Sequence, residues 1–298
     1  MNDTLRSLAG AGCGFALALA IGVGAPAAQQ PAAPAATDKP VVTTYRPVAK
    51  RVSPQDGIVS QLRSSAPTPR DADGHPDLSG NWVANFPSPF GAPGLRGRGL
   101  FEPDQAVMQR GAQWNKPLYK PEYWEKVRSL DFGKADIDPS YGCTHPVGVP
   151  RQNVPARIVQ KNNQIWLLNN VENALRILPL DGRQRDPLDR EYSTYNGMGI
   201  ARWDGDTLVV ESVGFNDITW LGWEGYFHTD KMEVTERFRR EGDLLFYSFT
   251  VNDPDVLMEP WTSITYVRRL NANPVRQDEA PICDERDIDL LADPYNRG

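Results

Sequence analysis

The chain reads as a mostly β protein, an antiparallel up-and-down barrel or sandwich, on three observations. About nine short segments rich in β-branched and aromatic residues follow one another at close spacing. Asn162-Asn163, Asp181-Gly182, Asp204-Gly205 and Glu241-Gly242 punctuate them with residues suited to tight turns. The strand-then-helix alternation of a parallel α/β sheet is missing from the pattern. With 298 residues, 40% of them hydrophobic and 23% charged, the chain has material for one sizeable core.

Taken in order, the first 27 residues stand apart. Arg6 precedes a Gly/Ala/Leu-rich run over residues 8–23, and Ala25-Pro26-Ala27 supplies small residues after it, so residues 1–27 read as a signal peptide and the protein as periplasmic or secreted. Cys13 falls inside that run. No later stretch is long and apolar enough to suggest a membrane-spanning helix. Residues 28–68, rich in Ala, Pro, Gln and Thr, have the composition of a linker that cannot bury enough apolar surface to order itself. A single domain is expected over residues 69–298.

That domain opens with a strand at residues 80–86. A proline-rich excursion over residues 87–155 follows, with short helical candidates at 104–114, behind Pro103, and at 121–129, where Tyr123, Trp124 and Val127 can share a face. Its end, residues 138–151, is a turn-dense loop carrying Cys143, His145 and Arg151. Strands are then expected at 157–160, 164–169, 174–178, 200–203, 207–212, 233–240, 244–251 and 262–269, and a polar tail at 270–298.

Gly80-x-Trp82 on the first strand resembles the opening signature of lipocalin-type (calycin) barrels, in which the Trp packs across the barrel base. Downstream, GDTLVVESVGFNDITW, then HTDKMEVTERFRR, the Pro260-Trp261 strand and the late Cys283 resemble a widespread group of uncharacterised secreted bacterial proteins. The resemblance implies a calycin-like barrel but no chemistry. Where that group carries a His in a Gly-His-Ser phrase, this chain has Tyr195-Asn196-Gly197-Met198-Gly199, so no catalytic histidine is carried over to that place.

The densest signal lies between the strands at 207–212 and 233–240. That connection holds Trp220, Trp223 and Tyr226 beside Asp217 and His228, with glycines where the backbone must turn, and Trp203 stands just upstream. Aromatic faces with a few orienting polar groups suit recognition of a small apolar or aromatic molecule; an aromatic plug closing one barrel end has the same composition. In the strand after it, alternation puts Val234, Glu236 and Phe238 on one face, so a carboxylate points inward with apolar neighbours. Either it meets an arginine or backbone donor, or its pKa rises and it becomes useful for proton transfer. Arg237, Arg239 and Arg240 read as a solvated face.

Three function classes follow. The first is an exported barrel binding a small ligand, with Trp203, Trp220, Trp223, Tyr226, Arg151 and Arg202 as binding candidates. The second is a cofactor-independent lyase, isomerase or hydrolase using Asp217, His228 and Glu236 as acid–base groups, with Arg151 or Arg202 steadying a developing oxyanion. The third is a structural or interaction protein with a filled barrel. The three histidines, His75, His145 and His228, lack metal-ligand spacing, and neither a nucleophile elbow nor a phosphate-cradling glycine loop is present, so no metal or cofactor is expected. The net charge of −6 and dispersed basic residues give no footprint for nucleic acid. Cys143 and Cys283, an even pair in an oxidising compartment, read as a disulfide, with a reactive thiol beside His145 as the competing reading.

Overall fold

The computed structural model describes residues 62–83, 117–130, 147–152, 154–169, 174–222 and 225–271. The strands are β1 (Gly80–Val83), β2 (Arg157–Lys161), β3 (Gln164–Leu168), β4 (Leu175–Pro179), β5 (Met198–Asp204), β6 (Thr207–Val213), β7 (Glu233–Glu241), β8 (Leu244–Asn252), β9 (Trp261–Thr262) and β10 (Tyr266–Asn271). They form one antiparallel sheet in the order β4-β3-β2-β1-β10-β8-β7-β6-β5, with β9 pairing off β8, and the sheet curls into a nearly closed barrel of nine strands. The first and last strands meet, Trp82 lying opposite Leu270, so the chain closes on itself where a meander would otherwise leave two edges.

Closure fails once, for a reason of parity. Antiparallel neighbours alternate in direction, and nine strands in a ring cannot alternate all the way round. Following the registers, β4 and β5 run the same way. No backbone ladder joins them among the described residues. The connection between them, residues 180–197, must travel the length of the barrel, and it includes a 3₁₀ turn, Pro187–Glu191, whose Asp186 side chain accepts from the Leu188 amide.

Alternation fills the interior. On β7, Val234, Glu236, Phe238 and Arg240 are all buried, opposite Val251, Phe249, Tyr247 and Leu245 of β8 and, for the first three, Ser212, Val210 and Leu208 of β6. Arg240 therefore departs from the solvated face expected for it. It shares the period-two face of Glu236 and Phe238, and its guanidinium is satisfied by the Gly242 and Asp77 carbonyls above the Trp82 ring. The strand expected at 262–269 splits into β9 and β10, because the Ser263 hydroxyl takes over an acceptor's role, receiving the Phe249 amide and donating to the Ile264 carbonyl. The helix expected at 121–129 shrinks to a 3₁₀ turn, Pro121–Tyr123, and α1 (Trp124–Arg128). The candidate at 104–114 lies outside the described residues, as do residues 84–86 of the first strand.

The two barrel ends are built differently. At one, which carries the β5–β6 and β7–β8 turns, residues 62–79 form a strap. Ser64 donates to Asp243, Thr68 accepts from the Gly242 amide, and Arg70 pairs with Asp206 at 2.8 Å. Gly242 has φ 55, and a Cβ there would stand 2.3 Å from the Ser64 hydroxyl, so the strap sits directly on the turn. At the other end, residues 117–130, 147–152, 213–222, 225–232 and 253–264 fold over the barrel mouth. Tyr119 bridges to Leu257, and Lys120 donates to Val256.

Candidate functional site

The connection from β6 to β7 organises the mouth. Gly148, at φ 73, wedges its loop against Thr219 and the Tyr195 carbonyl, with 2.8 Å left for a Cβ on either side. Leu221 donates to the Tyr226 carbonyl, so this connection folds back on itself. Tyr226 stacks on Tyr119 at 6.0 Å between ring centroids, Tyr119 packs on Phe227 at 4.6 Å, and Tyr123 meets Phe227 edge-on. Trp220 and Leu130 flank Gly225, which continues the same apolar surface. Tyr119 and Tyr226 are buried, whereas Tyr123, Leu130, Trp220 and Phe227 are partly exposed. Two cations lie over this aromatic rim: Lys126 Nζ sits 3.6 Å from the Phe227 centroid, and the Arg151 guanidinium 5.7 Å from that of Trp220.

His228 and Asp217 belong to this end of the molecule. His228 is 3% exposed; its Nδ1 faces the Thr229 carbonyl at 3.0 Å and its Nε2 the Thr219 hydroxyl at 2.8 Å. A carbonyl only accepts, so Nδ1 carries the proton and Nε2 accepts from Thr219, the neutral tautomer. Burial pushes the imidazole below its ordinary value, the Thr229 carbonyl and the more distant Asp253 and Asp217 charges pulling the other way. Thr229 is itself anchored by the fully buried Asp253, which accepts from its amide and hydroxyl. Asp217 is exposed, and the neighbouring Asn216 side chain receives the Ile218 amide.

Glu236 is elsewhere, in the body of the barrel. Arg176 enters from β4 and donates to both its oxygens, at 3.1 and 2.6 Å, and to the Ser212 hydroxyl at 3.2 Å. The Tyr247 hydroxyl adds a third bond to Glu236 at 3.1 Å. Burial opposes the Arg176 charge, but the adjoining carboxylate more than restores it, and burial drives the Tyr247 phenol well above its ordinary value. The group is thus a protonated arginine and a neutral phenol around an acceptor, closing the barrel's middle with a polar crossbar. Glu236 shares no hydrogen bond with His228 or Asp217.

The aromatic candidates divide between the two ends. Trp220, Tyr226 and Arg151 gather at the mouth. Trp203 lies at the strap end, stacked on His75 with centroids 4.7 Å apart and planes 6° from parallel. Arg202 points outward and pairs with Glu211. Trp223, Cys143 and Cys283 lie outside the described residues. At the strap end, a cleft of about 160 Å³ is lined by Asp71, Asp77, Ser79, Gln160, Lys161 and Asn162. That is small beside the roughly 300–1,000 Å³ of sites that enclose a ligand, and Asp71 and Asp77 are already accepting from amides of their own turns.

Arg176 was not legible in the sequence, because Leu175, Ile177 and Leu178 give β4 no polar face against which an arginine would stand out. A chain of amides, Asn169 donating to Gln152 and Gln152 to Asn196, leaves no sequence signal because its members are far apart in the sequence.

The fold and the aromatic mouth define a nearly closed antiparallel β-barrel, an architecture compatible with a binding protein. No protein-family model, curated protein or solved structure matches this chain. Among the described residues no helix is long and apolar enough to cross a membrane, and no group of three or more metal-ligating side chains comes together.

Proposed function

We propose that the protein is an exported barrel, akin to the lipocalin-like secreted group its motifs resemble, that binds a small apolar or aromatic molecule at its mouth. The observation that carries this reading is the contrast between the two regions. The barrel's middle is occupied by the Arg176–Glu236–Tyr247 crossbar, while the mouth keeps Trp220, Phe227, Tyr123 and Leu130 partly exposed on one apolar surface. Aromatic rings held by their neighbours present flat area at little entropic cost. The acid–base alternative has less support: Glu236 is held by Arg176 and Tyr247, and His228 by Thr219 and Thr229.

The test is Trp fluorescence of the intact protein titrated with naphthalene and with a medium-chain fatty acid. Saturable quenching by either ligand that weakens at least about tenfold in Trp220→Ala, and survives Asp217→Asn, supports the reading. Emission unmoved by both ligands, or binding indifferent to Trp220→Ala, defeats it. The filled interior favours one further reading, a structural or interaction protein, and a pulldown from periplasmic extract with Tyr123→Ala as the control surface variant tests that separately.

A further inference from the structure

We infer that the seam between β4 and β5 is where this barrel opens, and that the Arg176–Glu236 pair is the latch that holds it shut. The inference does not depend on what, if anything, binds at the mouth. β4 is joined to β3 by a full antiparallel ladder, but its other edge meets β5 through side chains alone. Leu178 and Arg176 contribute to that closure. Leu178 packs against Gly199, where a Cβ would stand only 2.6 Å from the Leu178 Cδ2, and Arg176 reaches past β5 to Ser212 of β6 and Glu236 of β7. Outside the seam, Leu175 is 48% and Ile177 52% exposed, so among the described residues no layer over the strand presses it into place.

Opening at any other junction breaks a row of backbone hydrogen bonds; opening here separates side-chain contacts, among them the Arg176 bonds to Glu236 and Ser212 and the packing of Leu178 on Gly199. Local openings run along such low-cost boundaries. The latch is also incompletely satisfied. Arg176 is buried to 6% side-chain exposure, yet its Nε has no hydrogen-bond partner among the described residues, so part of the cost of burying the guanidinium is left uncompensated in the closed state. Swinging β4 outward hydrates Arg176 and uncovers Leu178, Glu236 and Tyr247, giving the interior a lateral entrance distinct from the mouth.

Hydrogen exchange by mass spectrometry on the full chain tests this. Opening breaks no backbone bond between β4 and β5, so exchange reads it through the ladders that β4 shares with β3 and β5 with β6: in the wild type these ladder-bonded amides are expected to exchange at least about tenfold faster than those between β7 and β8. Glu236→Gln keeps an acceptor for Tyr247 and removes the latch's charge; it should speed β4 and β5 further while leaving the ratio between β7 and β8 unchanged. Leu245→Ala, a core truncation away from the seam, should instead speed the most protected strands. Exchange of β4 and β5 in step with β7 and β8 in the wild type, or a Glu236→Gln pattern identical to that of Leu245→Ala, overturns the inference. Should Glu236→Gln fail to fold, thiol labelling decides with an otherwise wild-type interior. Leu178→Cys at the seam should react with a maleimide about tenfold faster than Ile165→Cys, its cross-strand partner on β3, each read against the parent chain; equal rates overturn the latch.

Discussion

Replacing Arg176 by Met is the sharpest probe of what holds the barrel together. Met matches much of the arginine's length and apolar stem, so little packing is lost; what is lost is the charge that compensates Glu236. Glu236 is 1% exposed, and after the change, among the described residues, only the Tyr247 hydroxyl remains bonded to it. Breaking one side of a buried pair costs about 3–5 kcal/mol, which in a domain of this size lowers the melting temperature by roughly 6–20 °C. The double variant Arg176→Met with Glu236→Gln removes the stranded charge and keeps an amide oxygen for Tyr247 to donate to. It should therefore recover at least about 2 kcal/mol relative to Arg176→Met alone, since a neutral replacement of a buried pair is often tolerated. Urea unfolding followed by far-ultraviolet circular dichroism measures both. A loss below about 1 kcal/mol for Arg176→Met would place the pair with solvent-screened surface bridges, and strictly additive effects in the double variant would mean the two side chains do not compensate each other. Either result refutes the reasoning.

Two further predictions concern the mouth and the β4–β5 connection. His228 is depressed below its ordinary value of 6.5 by burial, so between that value and its lower folded value the unfolded chain binds a proton that the folded chain does not. Stability should be complete above pH 6.5 and decline on acidification through this window, by up to about 1.4 kcal/mol per pH unit, and His228→Asn should flatten that portion of the stability profile. At Gly214, φ is 72 and a Cβ would stand 2.1 Å from the Asp189 carbonyl, whereas Gly205, at φ 58, has nothing within 4 Å of that position. Gly205→Ala should cost only the roughly 1–2 kcal/mol of a left-handed residue, and Gly214→Ala clearly more by thermal melting; equal losses would mean that the 187–191 turn is not seated on β6.

Several parts of this architecture were legible in advance because they rest on local chemistry. The Asp204-Gly205 and Glu241-Gly242 turns favour φ above zero and fix hairpins between strands rich in β-branched and aromatic residues, so β5 to β8 appear within a residue or two of their expected limits. The inward aim of Glu236 followed from the same period of two. The same alternation also turns Arg240 inward, where backbone carbonyls receive it.

The sequence by itself determined where strands begin and turn, and which side chains share a face, since both depend on neighbours within a few residues. Which arginine meets Glu236, which aromatic rings share the mouth with Trp220 and which lie with Trp203 at the opposite end were decided only by the tertiary structure. Such pairings depend on how a sheet of nine strands curls and on the one place where its alternation of direction must fail. That is a property of the whole ring and is written in no single strand.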